Sequence, residues 1–264
     1  MSFFNKVLGA VGIGAAKVDT ILTNTEVEPG EEVCGTVKIT GGKTEQNINK
    51  IDLDLICNYT VEVEREDSEG ETETFTETRT HILDRFKLDE SFTITPGEVR
   101  EIPFAFTLSE DAPLTVGHSK TWVDTNLDIE MALDKSDKDY LHIVPNSLQL
   151  AVIHALEAIG FQLYEADCEG IESASFSRLP FVQELEFKTI SGDFHRKLDE
   201  VEVVFFPRGE QLEVIFEIDR KARGIMGFFQ EALDLDESNA RLVVSEANLD
   251  SLTQDIYDII DDNC

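Results

Sequence analysis

From Ile51 onward the chain alternates with period two. Ile51, Leu53, Leu55, Cys57, Tyr59, Val61 and Val63 share one parity; Asp52, Asp54, Ile56, Asn58, Thr60, Glu62 and Glu64 share the other. A helix would scatter the first set around its circumference, whereas a strand turns it to one face. The pattern predicts a half-buried antiparallel sheet, with a core on one side and water on the other. It recurs at Val33, Gly35, Val37 and Ile39, at Ile102, Phe104, Phe106 and Leu108, and at Val123, Leu127, Ile129, Met131 and Leu133. The chain is therefore expected to be mainly β.

Residues 71–80 alternate Thr with Glu, Phe75 or Arg79 and carry no apolar face. They are expected to pair with residues 59–66 across the Asp67-Ser68-Glu69-Gly70 turn. This hairpin would project into water, with Glu and Thr discouraging edge-to-edge aggregation. Pro29-Gly30-Glu31, Pro96-Gly97-Glu98 and Pro207-Arg208-Gly209-Glu210 mark turns, since Pro presets φ and Gly accepts a positive φ. The last of them separates strands expected at 201–206 and 212–218.

Three segments read as helical. Residues 1–16 are apolar and Gly-rich without a basic leader, and are read as a short helix rather than a signal peptide. Leu148, Val152, Ala155, Leu156 and Ile159 follow helical spacing, with Asn146 or Ser147 as the start and Gly160 as the end. Leu249, Leu252, Ile256 and Ile259 form an amphipathic stripe near the C-terminus, either a core face or a docking face for a partner. Residues 134–140 are polar and read as a connection between two β-rich domains, placed at 1–140 and 141–264.

Charge restricts the partners. The 264 residues carry 54 acidic and 22 basic side chains, for a formal net charge of −32. Residues 1–140 hold 29 acids and 13 bases and the rest 25 and 9, so each half contributes −16. Nucleic acid is excluded as a partner, because binding it needs bases that displace counterions from phosphate. An anionic membrane surface is disfavoured on the same ground. The acidity reads as a self-repelling, soluble surface, or as adaptation to a salty cytoplasm. The 41% hydrophobic content supplies a core. No apolar run is long enough to span a bilayer. Cys34, Cys57, Cys168 and Cys264 lie far apart without a CxxC, which fits a reducing, cytoplasmic location.

The chemical motifs fail one by one. Gly42-Lys43-Thr44 lacks the leading glycine of a phosphate loop, since Val37 stands there. Residues 134–139 do not match a calcium loop, which wants oxygen ligands at alternate positions and a glycine at the sixth. His81, His118, His142, His154 and His195 show no HExxH and no close ligand pair, and His118-Ser119 is only a pair of neighbours. Catalytic residues, cofactors and metals are therefore all expected to be none. The one local anomaly is Asp219-Arg220-Lys221-Ala222-Arg223, which packs three of the 22 bases into four positions. Arg220, Lys221 and Arg223, with Asp219, either form an internal salt-bridge network at the domain interface or dock an acidic partner.

The sequence resembles the bacterial sporulation-control family with an arrestin-like fold. The resemblance runs almost end to end. It is carried by Gly14-Ala15-Ala16-Lys17-Val18-Asp19-Thr20, Gly35-Thr36-Val37-Lys38-Ile39, Thr121-Trp122-Val123-Asp124-Thr125-Asn126-Leu127-Asp128-Ile129 and Asp137-Lys138-Asp139-Tyr140-Leu141. Its most specific stretch is Phe216-Glu217-Ile218-Asp219-Arg220-Lys221-Ala222-Arg223-Gly224 with Leu235-Asp236-Glu237. The resemblance implies two tandem arrestin-like antiparallel β-sandwich domains and a non-enzymatic regulator of sporulation, stress or the cell cycle. It brings no catalytic residues. Expected partners are proteins, a second copy of the chain among them. The alternative function is a ligand- or carbohydrate-binding β-sandwich, for which Trp122 is the single tryptophan available as a platform.

Overall fold

The computed structural model describes residues 14–66, 72–88, 91–130, 134–171, 177–219 and 240–264. The helix expected over residues 1–16 lies almost wholly outside them, as do Met131 and Leu133. The described strands are β1 (Lys17–Leu22), β2 (Glu26–Val27), β3 (Glu32–Thr40), β4 (Gln46–Glu66), β5 (Thr72–Leu88), β6 (Phe92–Ile94), β7 (Val99–Thr107), β8 (Thr121–Ile129) and β9 (Lys135–Ile143). Helix α1 (Ser147–Ala158) follows, then β10 (Phe161–Gly170), β11 (Phe181–Thr189), β12 (Glu200–Arg208), β13 (Gln211–Asp219), β14 (Ala240–Val244) and helix α2 (Leu252–Asp262). The molecule is mainly β, as the alternation requires.

The chain divides into two compact units that are discontinuous in sequence. The first comprises Met1–Cys57, Thr80–Ala112 and Lys120–Val144; the second comprises Asn58–Arg79, Pro113–Ser119 and Pro145–Cys264. β4 and β5, at 21 and 17 residues, are each divided between the two units. Residues 46–57 of β4 belong to the first unit and residues 58–66 to the second.

In the first unit, β1, β3 and β7 form an antiparallel sheet. The first part of β4 pairs with β6 and β8, β8 with β9, and β9 in parallel with β2. Val33, Val37 and Ile39 of β3 are buried, as are Ile51, Leu53, Leu55 and Cys57 of β4 and Val123, Leu127 and Ile129 of β8. These are the parities the sequence assigned to the core. Gly35 continues the β3 row for a steric reason: a Cβ there would lie 2.6 Å from the Phe104 ring and 2.8 Å from the Ile21 carbonyl oxygen. Across the interior, the Thr20 and Thr125 hydroxyls are 2.7 Å apart, so each buried hydroxyl satisfies the other.

Residues 134–140 are not a connection. All but the first belong to β9, which pairs antiparallel with β8, Trp122 opposite Tyr140 and Asp124 opposite Lys138. Tertiary contacts override the weak strand propensity. The Lys138 ammonium sits 3.5 Å from the Trp122 ring centroid, and Asp137 accepts the Thr20 backbone N–H at 2.6 Å.

β5 pairs with β4 as expected, and the turn expected at 67–70 lies outside the described residues. Arg85 of β5 grips Asp54 of β4 with Nε at 2.6 Å and Nη2 at 2.8 Å, the bidentate geometry a guanidinium favours. Nearer the tip, Arg65 pairs with Glu77 and lies over the Phe75 ring.

In the second unit, β10 to β14 form an antiparallel meander in chain order. Leu185, Phe187, Val201, Val203, Leu212, Val214, Phe216 and Val244 are buried on one face. Helix α1 packs on β10, β13 and α2, and α2 packs on β14. Asn146, not Ser147, caps α1: its side chain accepts from the Leu148 and Gln149 N–H groups, and Gln149 returns a bond to the Asn146 N–H. Gly160 ends the helix at φ 101°. The C-terminal stripe is shifted from the expected one. Leu252, Ile256 and Ile260 are buried, Ile259 is half-buried, and Leu249 precedes the helix and is exposed. The i, i+4, i+8 set keeps one line down the helix.

Candidate functional site

The second unit's sheet is unusual on its other face. Register places Asp167 opposite Glu184, Glu186 opposite Glu202, Glu202 opposite Glu217, and Glu200 opposite Lys188 and Asp219. Strand alternation turns the glutamates of this set, with Asp167, Glu165 and Glu213, to the face away from Leu185 and Val203. Val182, Val204 and Phe206 form a small apolar cluster on the same face, flanked by Ile171 and Ile215.

Adjacent like charges on a sheet destabilise it unless they are neutralised. Cations do this at the margins. Lys188 Nζ lies 2.7 Å from Glu186 and 4.0 Å from Glu200, and Arg241 and Arg208 reach Glu213 at 2.6 and 3.1 Å. Among the described residues no cation reaches Glu184 or Glu202. Glu184 is only 8% exposed, and its Oε1 has no hydrogen-bond partner. Burial, and then the charges of Glu169, Glu202 and Glu217, push its carboxyl up to about 10. Burial and the Glu217 charge push Glu202 up to about 7. Burial and a hydrogen bond with Glu186 push Glu200 up to about 7. At neutral pH this face therefore holds protons that ordinary carboxylates would have released.

A loop brings the missing ligand type to one end of this face. Residues 113–119 lie against β10 and β11, clamped by Gln183. Its side chain accepts the Leu114 N–H at 2.8 Å and donates to the Leu114 carbonyl at 2.8 Å and the Ser119 hydroxyl at 3.1 Å. Asn58 donates to the His118 carbonyl at 3.2 Å. Gly117, at φ 59°, lets the loop touch β10: a Cβ would lie 2.4 Å from the Ala166 carbonyl oxygen. His118 Nδ1 then stands 3.3 Å from Asp167 Oδ1 and 3.5 Å from Glu165 Oε1. Nearby Cys168 is not a reactive thiol, because burial pushes it up to about 12.

The basic cluster singled out in the sequence lies almost wholly outside the described residues. Asp219 is the last residue of β13. Arg220, Lys221 and Arg223 lie outside the described residues. Trp122 is only 7% exposed and Lys138 lies over its ring, so it offers no open aromatic platform. What sequence reasoning missed is the carboxylate face and His118. The signal was present in Gln183-Glu184-Leu185-Glu186 and Glu200-Val201-Glu202-Val203, where Glu alternates with apolar residues. That pattern reads as a solvated face until register stacks the rows.

The model of the SpoOM protein family matches residues 4–222 of this chain. The chain belongs to the SpoOM family. It is 41% identical over 263 residues to the sporulation-control protein spo0M of Bacillus subtilis (strain 168), covering 99% of this chain and 97% of that protein. The crystal structure of Spo0M from Bacillus subtilis matches with a TM-score of 0.81, over 96% of this chain and all of that one. The mainly β fold is thus that of SpoOM proteins. The relationship supports a regulator's role in sporulation, and the family is named for control rather than for a catalysed reaction. Among the described residues no helix is long and apolar enough to cross a membrane.

Proposed function

We propose that this SpoOM family member is a cytoplasmic, non-enzymatic regulator that works as a scaffold, through protein–protein contacts. The observation that carries the reading is the β4–β5 hairpin. Among the described residues β5 pairs only with β4, and its side chains are exposed or half-buried along all 17 residues. A strand edge with no further described strand against it offers backbone N–H and C=O groups to an extended partner segment. Glu62, Glu64 and Glu73 near the tip repel a second copy of the same edge and favour a partner segment carrying basic side chains.

Successive backbone N–H groups of a strand point to opposite edges, so Phe75→Pro and Thr76→Pro form a matched pair. One blocks the open edge of β5 and the other its bonds to β4. Each variant is expressed in a Bacillus subtilis strain lacking its own spo0M protein, alongside the unaltered chain. The unaltered chain is expected to restore normal sporulation, and the open-edge variant to keep its melting temperature but fail to restore it. Full restoration by both variants would remove the hairpin from the mechanism.

A further inference from the structure

We propose that His118, Glu165 and Asp167 form a binding site for one divalent transition-metal ion of the zinc type. Linear spacing gave no ligand set; the fold makes one. The ligand atoms of these three side chains all lie within 4.8 Å of one another. Imidazole nitrogen with carboxylate oxygens suits Zn²⁺, whose bonds to such ligands are about 2.0–2.2 Å. In a tetrahedron with bonds of that length, neighbouring ligand atoms are about 3.3–3.6 Å apart. The Nδ1 to carboxylate separations of 3.3 and 3.5 Å already have that spacing.

The ligands are held by the scaffold rather than by chance surface contact. Glu165 and Asp167 are two apart on β10, just past the irregularity in its pairing with β11 at Leu163/Glu165, and so share a face. The loop backbone that carries His118 is fixed by Gly117 against Ala166 and by the Gln183 clamp. A second observation also points to a cation. Glu184, directly opposite Asp167, is more than nine-tenths buried with an unpartnered oxygen. A divalent ion held by Asp167 would place a positive charge on the strand next to that buried oxygen. The His118 side chain is 79% exposed, which leaves the remaining coordination positions to water and gives the ion a path in.

The test uses the full chain, stripped with a chelator, in a Cys34→Ser, Cys264→Ser background that removes the partly exposed thiols. Zn²⁺ titration by calorimetry at moderate salt is expected to show one ion per chain. His118→Ala and Asp167→Asn should each weaken binding at least tenfold, while His154→Ala, an exposed helical histidine, should leave it unchanged. Co²⁺ should give tetrahedral d–d absorption in the parent and lose it in His118→Ala. Binding that is equal in all variants and erased by salt would mean nonspecific attraction to an acidic surface, and would overturn the site. So would no binding.

Discussion

Glu202 and Glu217 stand directly opposite one another across β12 and β13, two carboxylates on one sheet face with Glu184 and Glu169 acting on the same field. Away from the cations at its margins, such a face is tolerable because some of its members are protonated.

Stability should therefore fall as pH rises. Glu200 and Glu202 titrate near 7 when folded, against an ordinary 4.5, so between those values the native state binds more protons than the unfolded one. Their stabilisation is complete below 4.5 and is lost as pH climbs through about 7, and Glu184 extends the loss toward 10. The melting temperature is expected to be higher at pH 5.5 than at pH 8. Glu202→Gln should flatten the slope, by removing its own titration and its charge on Glu184 and Glu200. Parallel curves would refute the assignment.

Gly117→Ala should destabilise the second unit by about 1–3 kcal/mol, from a positive φ combined with a backbone clash. Gly97, also at positive φ, has nothing within 4 Å of an added Cβ. Gly97→Ala should thus show the conformational cost without the clash. Chemical denaturation of both variants measures the difference.

At the C-terminal helix, Ile256→Ala should cost about 2–5 kcal/mol, since the side chain is fully buried. Leu249→Ala should stay within about 0.5 kcal/mol of the parent, because Leu249 is exposed. Equal losses would restore the stripe expected from sequence.

Arg220→Gln combined with Arg223→Gln should lower stability by up to about 1 kcal/mol, the scale of an ordinary ion pair. These bases follow Asp219, whose strand position is opposite Glu200 in the carboxylate rows. If both melting temperature and complementation are unchanged, neither an internal network nor a docking role for Arg220, Lys221 and Arg223 survives.

Much of the fold was legible because a strand's side chains alternate by covalent geometry alone. The parities of Ile51, Leu53 and Leu55, and of Val33 and Val37, named the core directly. The α1 limits followed from Asn146 and Gly160, whose roles are local to the backbone. Lys135 to Tyr140 were misread because their strand is defined by pairing with β8 and by contacts to Trp122 and Thr20, which the polar residues themselves do not encode. The candidate site was illegible for the same reason. Glu165 and Asp167 lie about fifty residues from His118, and only the Gln183 clamp and Gly117 close that distance. The sequence by itself determined which side chains face a core and how strongly acidic the surface must be, since both follow from residue identity and period. Tertiary structure alone decided which carboxylates became neighbours, because register between strands sets cross-strand distances, and those distances set whether a carboxylate keeps its proton or joins a histidine around a metal.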